Sequence, residues 1–373
     1  MRVLVVAGEA SGDVHAAKVA RELIGRGAEI TAVGGRALQA AGATLIADID
    51  SLSVLGFVEV VRRLPRFLAL ERRIDALLQS GRIDLLLPVD FPGLNLRLAR
   101  RAHRARVPVL YYIGPQVWAW NARRLSRMRQ SIDHVALVLP FEQPLYDAAG
   151  VTATFVGHPL LDDPPLADAE PDCDVGFFPG SRPQEVVRHL PVLLDAWAEL
   201  CKDHPALRVL VSVAPTAPAA WMRTMVSARG LDPEQVLCDA PAREVMRRTR
   251  ALMVASGTAT LEAALAARPF AVLYRLGRVN YALARRLVHV PHIALANLVA
   301  GEAVVREYVQ DAASSAALAR EMQRLLFEPE ERQRILQGIA KVRGALGAPG
   351  AAVRVAALAW QIRAARPQEA MAP

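Results

Sequence analysis

Apolar positions along this chain fall in short continuous blocks rather than in strict alternation. "RVLVVAG" (2–8), "EITAVGG" (29–35), "IDLLLPVD" (83–90), "VPVLYYIG" (107–114), "HVALVLP" (134–140) and "ATFVGHP" (153–159) are each bounded by Gly or Pro. Between them run arginine-rich stretches with helical spacing, such as "DVHAAKVARELIGRG" (13–27), closed by glycine. A strand without polar alternation is buried on both faces, as in a parallel sheet covered by helices. Repeated strand–helix alternation therefore predicts a doubly wound α/β domain over residues 1–165.

The rhythm breaks at "PLLDDPPLADAEPDCD" (159–174), where proline and acidic residues replace the apolar period. An inter-domain linker is expected there. The alternation restarts with "VGFFPGS" (175–181), "LRVLVSVAP" (207–215), "ALMVASGT" (251–258) and "FAVLYRL" (270–276). These predict a second α/β domain over 172–345, and "GAAVRVAALAWQIRAARP" (350–367) predicts a C-terminal helix and tail over 346–373. The expected fold class is thus α/β, with two Rossmann-like doubly wound domains facing across a cleft. Open α/β sheets bind ligands beyond the carboxyl ends of their strands, so the site is expected in that cleft.

Length agrees with this division, since 373 residues exceed one ordinary core. An apolar fraction of 53% with 22% charged residues excludes a disordered chain. Three scattered cysteines, Cys173, Cys201 and Cys238, form neither a disulfide framework nor a zinc spacing, which points to a reducing, cytoplasmic setting. The start, "MRVLVVAGEASGD", lacks the features of a signal peptide, and no apolar run approaches the ~20 residues of a membrane span. The net charge of +8 is carried almost wholly by arginine, the lysines being Lys18, Lys202 and Lys341. That excess suggests an anionic partner, or merely a solvated basic surface.

Five loops hold candidate chemistry. "GEASGD" (8–13) is glycine-rich and opens a helix, but it is not the dinucleotide fingerprint, and no acid closes the second strand. Gly8 and Gly12 can equally serve a tight turn. In "PVDFPGLN" (88–95), Asp90 ends a buried strand; it is either a turn-forming residue or a rigid general base. In "YYIGPQVWAW" (111–120), Trp118 and Trp120 pack the domain or wall a pocket.

In "GFFPGSRPQEVVRHL" (176–190), Ser181 and Gln184 stand at capping-box spacing, and Arg182 sits where a helix start attracts anions. "VASGTATLEAALAARP" (254–269) repeats strand, glycine loop and helix, with Thr258 and Glu262 on one face. Two helix starts with Arg182 suit a nucleotide diphosphate. No metal is expected: His289 and His292 of "HVPH" lack acidic or cysteine companions.

In order along the chain, "VAGEASGD", "VLGFVEV", "PQVWAW", "LPFE", "FVGHPL", "FPGSRPQEV", "SGTATLE" and "ANLVAG" resemble the lipid-A-disaccharide synthases. These are glycosyltransferases of the two-Rossmann-domain (GT-B) kind. The resemblance implies transfer of 2,3-diacylglucosamine from UDP to 2,3-diacylglucosamine 1-phosphate, giving a β(1→6) disaccharide 1-phosphate and UDP. Inversion at the anomeric carbon means one displacement, with a base for the attacking hydroxyl and stabilisation of the departing diphosphate.

By resemblance, Asp90 and Arg182 are the catalytic pair. Gly180, Ser181, Gly257, Thr258, Glu262 and Asn297 serve the nucleotide, and Gly8, Glu9, Ser11, Gly12 and Trp118 the acceptor side. The chain departs from the family pattern at Gly93, where a second acid is frequent, at Gly114, where serine is frequent, and at Ala296, where proline is frequent. No cofactor, no metal and no nucleic acid are implied. Peripheral attachment to the cytoplasmic face of the inner membrane is, and homo-oligomerisation is left open. For membrane contact, "VLGFVEVVRRLPRFLALERR" (54–73) sets Val54, Leu55, Phe57, Val58 and Val61 beside Arg62, Arg63 and Arg66. Two other readings fit the residues: a UDP-sugar epimerase on the same fold, or an arginine-rich nucleic-acid- or membrane-binding protein.

Overall fold

The computed structural model describes the backbone of residues 1–48, 57–120, 123–164, 170–287 and 290–365, with side chains except at 57–67, 119–120, 123 and 287. The segment 54–73 considered for membrane contact therefore lies largely outside the described side chains. Two compact units emerge: Met1–Asp163 with Leu346–Pro373, and Pro164–Ala345.

The N-terminal unit is built on seven parallel strands: β1 (Arg2–Ala7), β2 (Glu29–Gly34), β3 (Thr44–Asp48), β4 (Leu85–Val89), β5 (Leu110–Tyr112), β6 (His134–Leu137) and β7 (Ala153–Phe155). Their order is β3-β2-β1-β4-β5-β6-β7. The direction of winding reverses between β1 and β4, whose register pairs Ala7 with Val89. The continuous apolar runs are buried on both faces: Val3 to Ala7 and Leu85 to Leu87 are fully inaccessible. Burying each such Val or Leu contributes about 1.5–3 kcal/mol, which fixes the sheet and the loops at its end.

The C-terminal unit carries six parallel strands: β8 (Cys173–Phe178), β9 (Val209–Ser212), β10 (Leu237–Cys238), β11 (Thr249–Ala255), β12 (Phe270–Tyr274) and β13 (Glu307–Val309). They run in the order β10-β9-β8-β11-β12-β13, so this sheet reverses between β8 and β11. Phe177 and Trp197 of the helix Pro183–Asp203 meet edge to face at 6.3 Å in its core. Both units are Rossmann-like.

The predicted linker region begins as a 3₁₀ turn, Pro159–Asp162, and β8 starts at Cys173. The C-terminal helix Ala351–Ala365 packs on the helix Ala10–Gly25, inside the N-terminal unit. Asp162 caps it, its carboxylate accepting from the backbone N–H of Gly350 (2.6 Å), Ala351 (3.0 Å) and Ala352 (2.9 Å). Among the described residues no helix is long and apolar enough to cross a membrane.

Candidate active site

Four of the five loops singled out in the sequence leave the two points where the sheets reverse. In the N-terminal unit these are Gly8–Glu9 after β1 and Asp90–Phe91 after β4, neighbours because their strands pair. Gly8 is required by close approach: a Cβ there would lie 2.2 Å from the Phe91 ring. Gly12 is buried, with only ordinary contacts around a would-be Cβ, while Glu9 and Ser11 are exposed.

Asp90 and Phe91 both adopt the left-handed region, at φ 47° and 48°. Two successive non-glycine residues there store strain, which persists only where the surroundings enforce it. The enforcement is visible. The Asp90 N–H donates to Tyr112 O (3.0 Å), and its carbonyl accepts from Asn95 Nδ2 (2.7 Å) and Tyr111 Oη (2.6 Å). Asn95 is itself fully buried. The backbone is thereby clamped at both its N–H and its carbonyl. Burial, then the charge of Glu9, push that carboxyl up to about 6.

Asp13, the last residue of the first motif, is spent elsewhere. Its buried carboxylate accepts from the N–H of Gly35 (2.7 Å), Ala37 (2.9 Å) and Leu38 (3.3 Å), tying the β2 exit to the first helix. Trp118 stands after β5. Its indole Nε1–H donates to Glu142 Oε1 (3.0 Å), and its ring meets Phe141 edge to face at 5.2 Å. Glu142 is 1% exposed, and the sequence reading passed over it: an acid in "LPFE" looks like a surface turn until Trp118 covers it. Gly114 leaves room for Tyr146, whose Oη would lie 2.6 Å from a Cβ at that position.

In the C-terminal unit, Pro179–Arg182 follow β8. Gly180 has φ +114°, and a Cβ would lie 2.6 Å from Glu185 Oε2. The capping expectation needs correction by one residue. The N-cap of the helix Pro183–Asp203 is Arg182, not Ser181, and its N–H reaches Glu185 Oε2 at 3.4 Å instead of Gln184. Pro183 at the first helical position sets this frame, because its fixed φ and absent N–H suit that place. Ser181 lies outside the helix, its carbonyl accepting from Thr216 Oγ1 at 2.5 Å.

Arg182 Nη1 pairs with Glu185 Oε1 at 3.0 Å, yet the arginine side chain stays 74% exposed. Behind the loop, fully buried His189 holds Pro179 O through Nδ1 (2.8 Å) and accepts at Nε2 from the Arg275 N–H (2.9 Å). Those partners fix it as the neutral Nδ1–H tautomer, and burial lowers its pKa. It thereby braces the β8 loop against the exit of β12.

After β11, Gly257 has φ +148° and Thr258 is the N-cap of the helix Ala259–Leu265, on which Glu262 lies. Asn297 is fully buried and turned inward. It donates to Val305 O (2.9 Å) and Glu307 Oε1 (2.8 Å), and accepts from the Val305 N–H (2.9 Å). Both its amide hydrogens are thus committed to Val305 and Glu307, at the entry to β13. Among the described residues no group of three or more His, Cys, Asp or Glu is placed to hold a metal ion. His289 lies outside the described residues.

Comparison with known proteins agrees with this layout. The family model described as lipid-A-disaccharide synthetase matches residues 3–347. The lipid-A-disaccharide synthase of Anaeromyxobacter dehalogenans is 40% identical over 368 residues, covering 95% of this chain and 96% of that protein. That of Syntrophus aciditrophicus is 38% identical over 370 residues, 96% of each. Among solved structures, the glycosyltransferase of kitacinnamycin superposes with a TM-score of 0.65 at 16% identity, over 97% of this chain and 98% of that one. The UDP-GlcNAc 2-epimerase of Neisseria meningitidis, bound to UDP-GlcNAc, gives 0.67 at 12% identity, over 97% and 100%. At such identities these two share the fold alone. Sequence similarity across nearly the whole length makes this chain a member of the lipid-A-disaccharide synthase family, a glycosyltransferase of lipid A disaccharide synthesis.

Proposed function

We propose that the enzyme transfers 2,3-diacylglucosamine from UDP to the 6-hydroxyl of 2,3-diacylglucosamine 1-phosphate in one inverting displacement. The observation that carries this reading is Asp90: a strained, backbone-clamped residue whose carboxyl is raised to about 6. A base with that pKa is ionised at neutral pH and still basic enough to accept a proton. Asp90 takes the proton of the 6-hydroxyl as its oxygen bonds to the anomeric carbon. The opposite C1–O bond breaks, and its electron pair leaves on the diphosphate. Gly8, Glu9, Ser11, Gly12 and Trp118 shape the acceptor side.

Arg182, with Gly180 and Ser181 at the start of a 21-residue helix, meets the departing diphosphate. Gly257, Thr258 and Glu262 face the nucleoside, and Asn297 supports them by fixing the 305–307 turn. In this reading charge on the leaving group is met by protein groups, so neither a cofactor nor a divalent metal takes part.

A cytoplasmic enzyme with acylated substrates must meet the bilayer, and an anionic membrane surface belongs to the proposal. Besides 54–73, the helix Arg278–Leu287 offers a surface. Val279 is 82% and Leu283 57% exposed, one turn apart, flanked by exposed Arg278, Arg285 and Arg286.

The direct test follows UDP release from purified protein with each lipid alone and with both, with chelator present, and determines the linkage of the product by NMR. Release requiring both lipids and a β(1→6) product support the proposal. Turnover of the donor without acceptor would favour an epimerase or hydrolase, and a chelator-abolished rate restored by magnesium would remove the metal-free mechanism.

A further inference from the structure

A buried carboxyl group lies within electrostatic reach of the proposed base, one of its oxygens without a well-formed hydrogen bond. Glu142 follows β6, Trp118 follows β5 and Asp90 follows β4, three adjacent strands opening on one end of the sheet. Oε1 of Glu142 holds the Trp118 indole at 3.0 Å. Its Oε2 is buried with no well-formed hydrogen bond, although the Leu139 backbone N–H acts on the carboxyl and favours its ionised form. An ionised carboxylate with an oxygen in that state carries a large desolvation cost, whereas a neutral acid keeps Oε1 as acceptor at far smaller cost.

We infer that Glu142 works as an uncharged carboxylic acid, a positioning residue that holds Trp118 on the acceptor side and keeps a second negative charge away from Asp90. The inference rests on the glycosyl-transfer reading above for its kinetic consequences.

The surroundings support the neutral form. Burial, the largest influence, and the charge of Asp90 push the Glu142 carboxyl up to about 8, against the lowering effects of the Trp118 indole and the Leu139 backbone N–H. The other groups facing this cluster are Tyr146, Tyr111, Glu9 and Arg124. Tyr146 is raised by burial and by Glu142; Tyr111 is raised by burial, Asp90 and Tyr146. Glu9 acts on Asp90, and Arg124 lowers Tyr111. Two carboxyls are thus driven apart by environment, the pattern that separates an ionised base from a neutral acid. Between about pH 6 and pH 8, Asp90 is anionic while Glu142 is neutral. Above that window Glu142 ionises and sets a second negative charge within electrostatic reach of Asp90.

The test compares wild type, Glu142→Gln and Glu142→Ala by infrared spectroscopy and by kcat/KM against pH. Glutamine is isosteric with the acid form and cannot ionise. At pH 7 the wild type should show a protonated-carboxyl C=O band that is absent in Glu142→Gln and lost from the wild type by pH 9.5. Glu142→Ala should lose about tenfold in kcat/KM at pH 7, the scale of one buried hydrogen bond. Glu142→Gln should recover most of that loss and move the alkaline limb up by at least one pH unit. Absence of the band at pH 7 in folded wild type, or an unmoved alkaline limb in Glu142→Gln, overturns the inference. The band needs no turnover, so a wild type that shows it but transfers no sugar refutes the glycosyl-transfer reading, and the kinetic half of this one with it, independently of the acid's protonation.

Discussion

After β1, β4 and β6 of the N-terminal unit the loops carry Glu9, Asp90 and, bonded to Trp118, Glu142; at the β8/β11 crevice of the C-terminal unit they carry Arg182 at the start of a long helix. The architecture is the same: a buried parallel strand, a glycine where backbone or ring must pass closely, then a helix. The charge is opposite. Burial, then the charge of Glu9, raise the Asp90 carboxyl; in the proposed function it is the general base, while the helix start and guanidinium of the other unit receive a phosphate. On the proposed function, one scaffold offers a proton acceptor in one unit and an anion receptor in the other. The way each loop is held also differs. Asp90 is strained and pinned through its own backbone, whereas Arg182 is exposed and steadied from behind, by His189 on Pro179.

The largest effect expected from breaking this contrast comes from Asp90→Asn. Asparagine keeps the shape and tolerates positive φ but cannot take the proton, so single-turnover rates should fall about 10²–10⁴-fold while circular dichroism is unchanged. In the wild type the acid limb of kcat/KM should lie near pH 6, activity rising as Asp90 loses its proton. Near wild-type turnover in Asp90→Asn would return this residue to a turn-forming role and shift attention to Glu9, since Asp13 is committed to backbone groups.

Next in size is Arg182→Ala, which removes a charge-assisted contact of about 1.5–3 kcal/mol. Steady-state kinetics should show kcat/KM for the donor down roughly 10- to 100-fold. His189→Leu reaches the same loop indirectly. It removes two neutral hydrogen bonds of about 0.5–1.5 kcal/mol each, so donor KM should rise several-fold with kcat less affected. A loss confined to kcat would contradict the bracing role. The smallest effect is on vesicle binding. Val279→Ser with Arg285→Glu should weaken flotation with anionic liposomes by about 1 kcal/mol per charge, and leave turnover of detergent-solubilised substrates intact.

Much of the fold was legible because both sheets are parallel and their central strands are unbroken apolar runs. The strands missed were β3, β10 and β13, all half-buried edges without such runs. The loops were legible because glycine and proline mark them. Their interiors were not. Nothing in "PVDFPG" announces two successive left-handed residues without glycine, because the strain is imposed by Asn95, Tyr111 and Tyr112 from other elements. Glu142 escaped for a similar reason: its burial depends on an indole from a different strand end. At Ser181 and Gln184 spacing was right and frame wrong, since Pro183 decides where the helix begins.

The central claim is that donor recognition belongs to the C-terminal loops and proton transfer to the N-terminal ones. Calorimetric titration of UDP into wild type, Asp90→Asn and Arg182→Ala tests it most directly. The account predicts an affinity for Asp90→Asn within about twofold of wild type and a loss of roughly tenfold or more for Arg182→Ala. Weakened UDP binding by Asp90→Asn, with Arg182→Ala binding as wild type does, would contradict it.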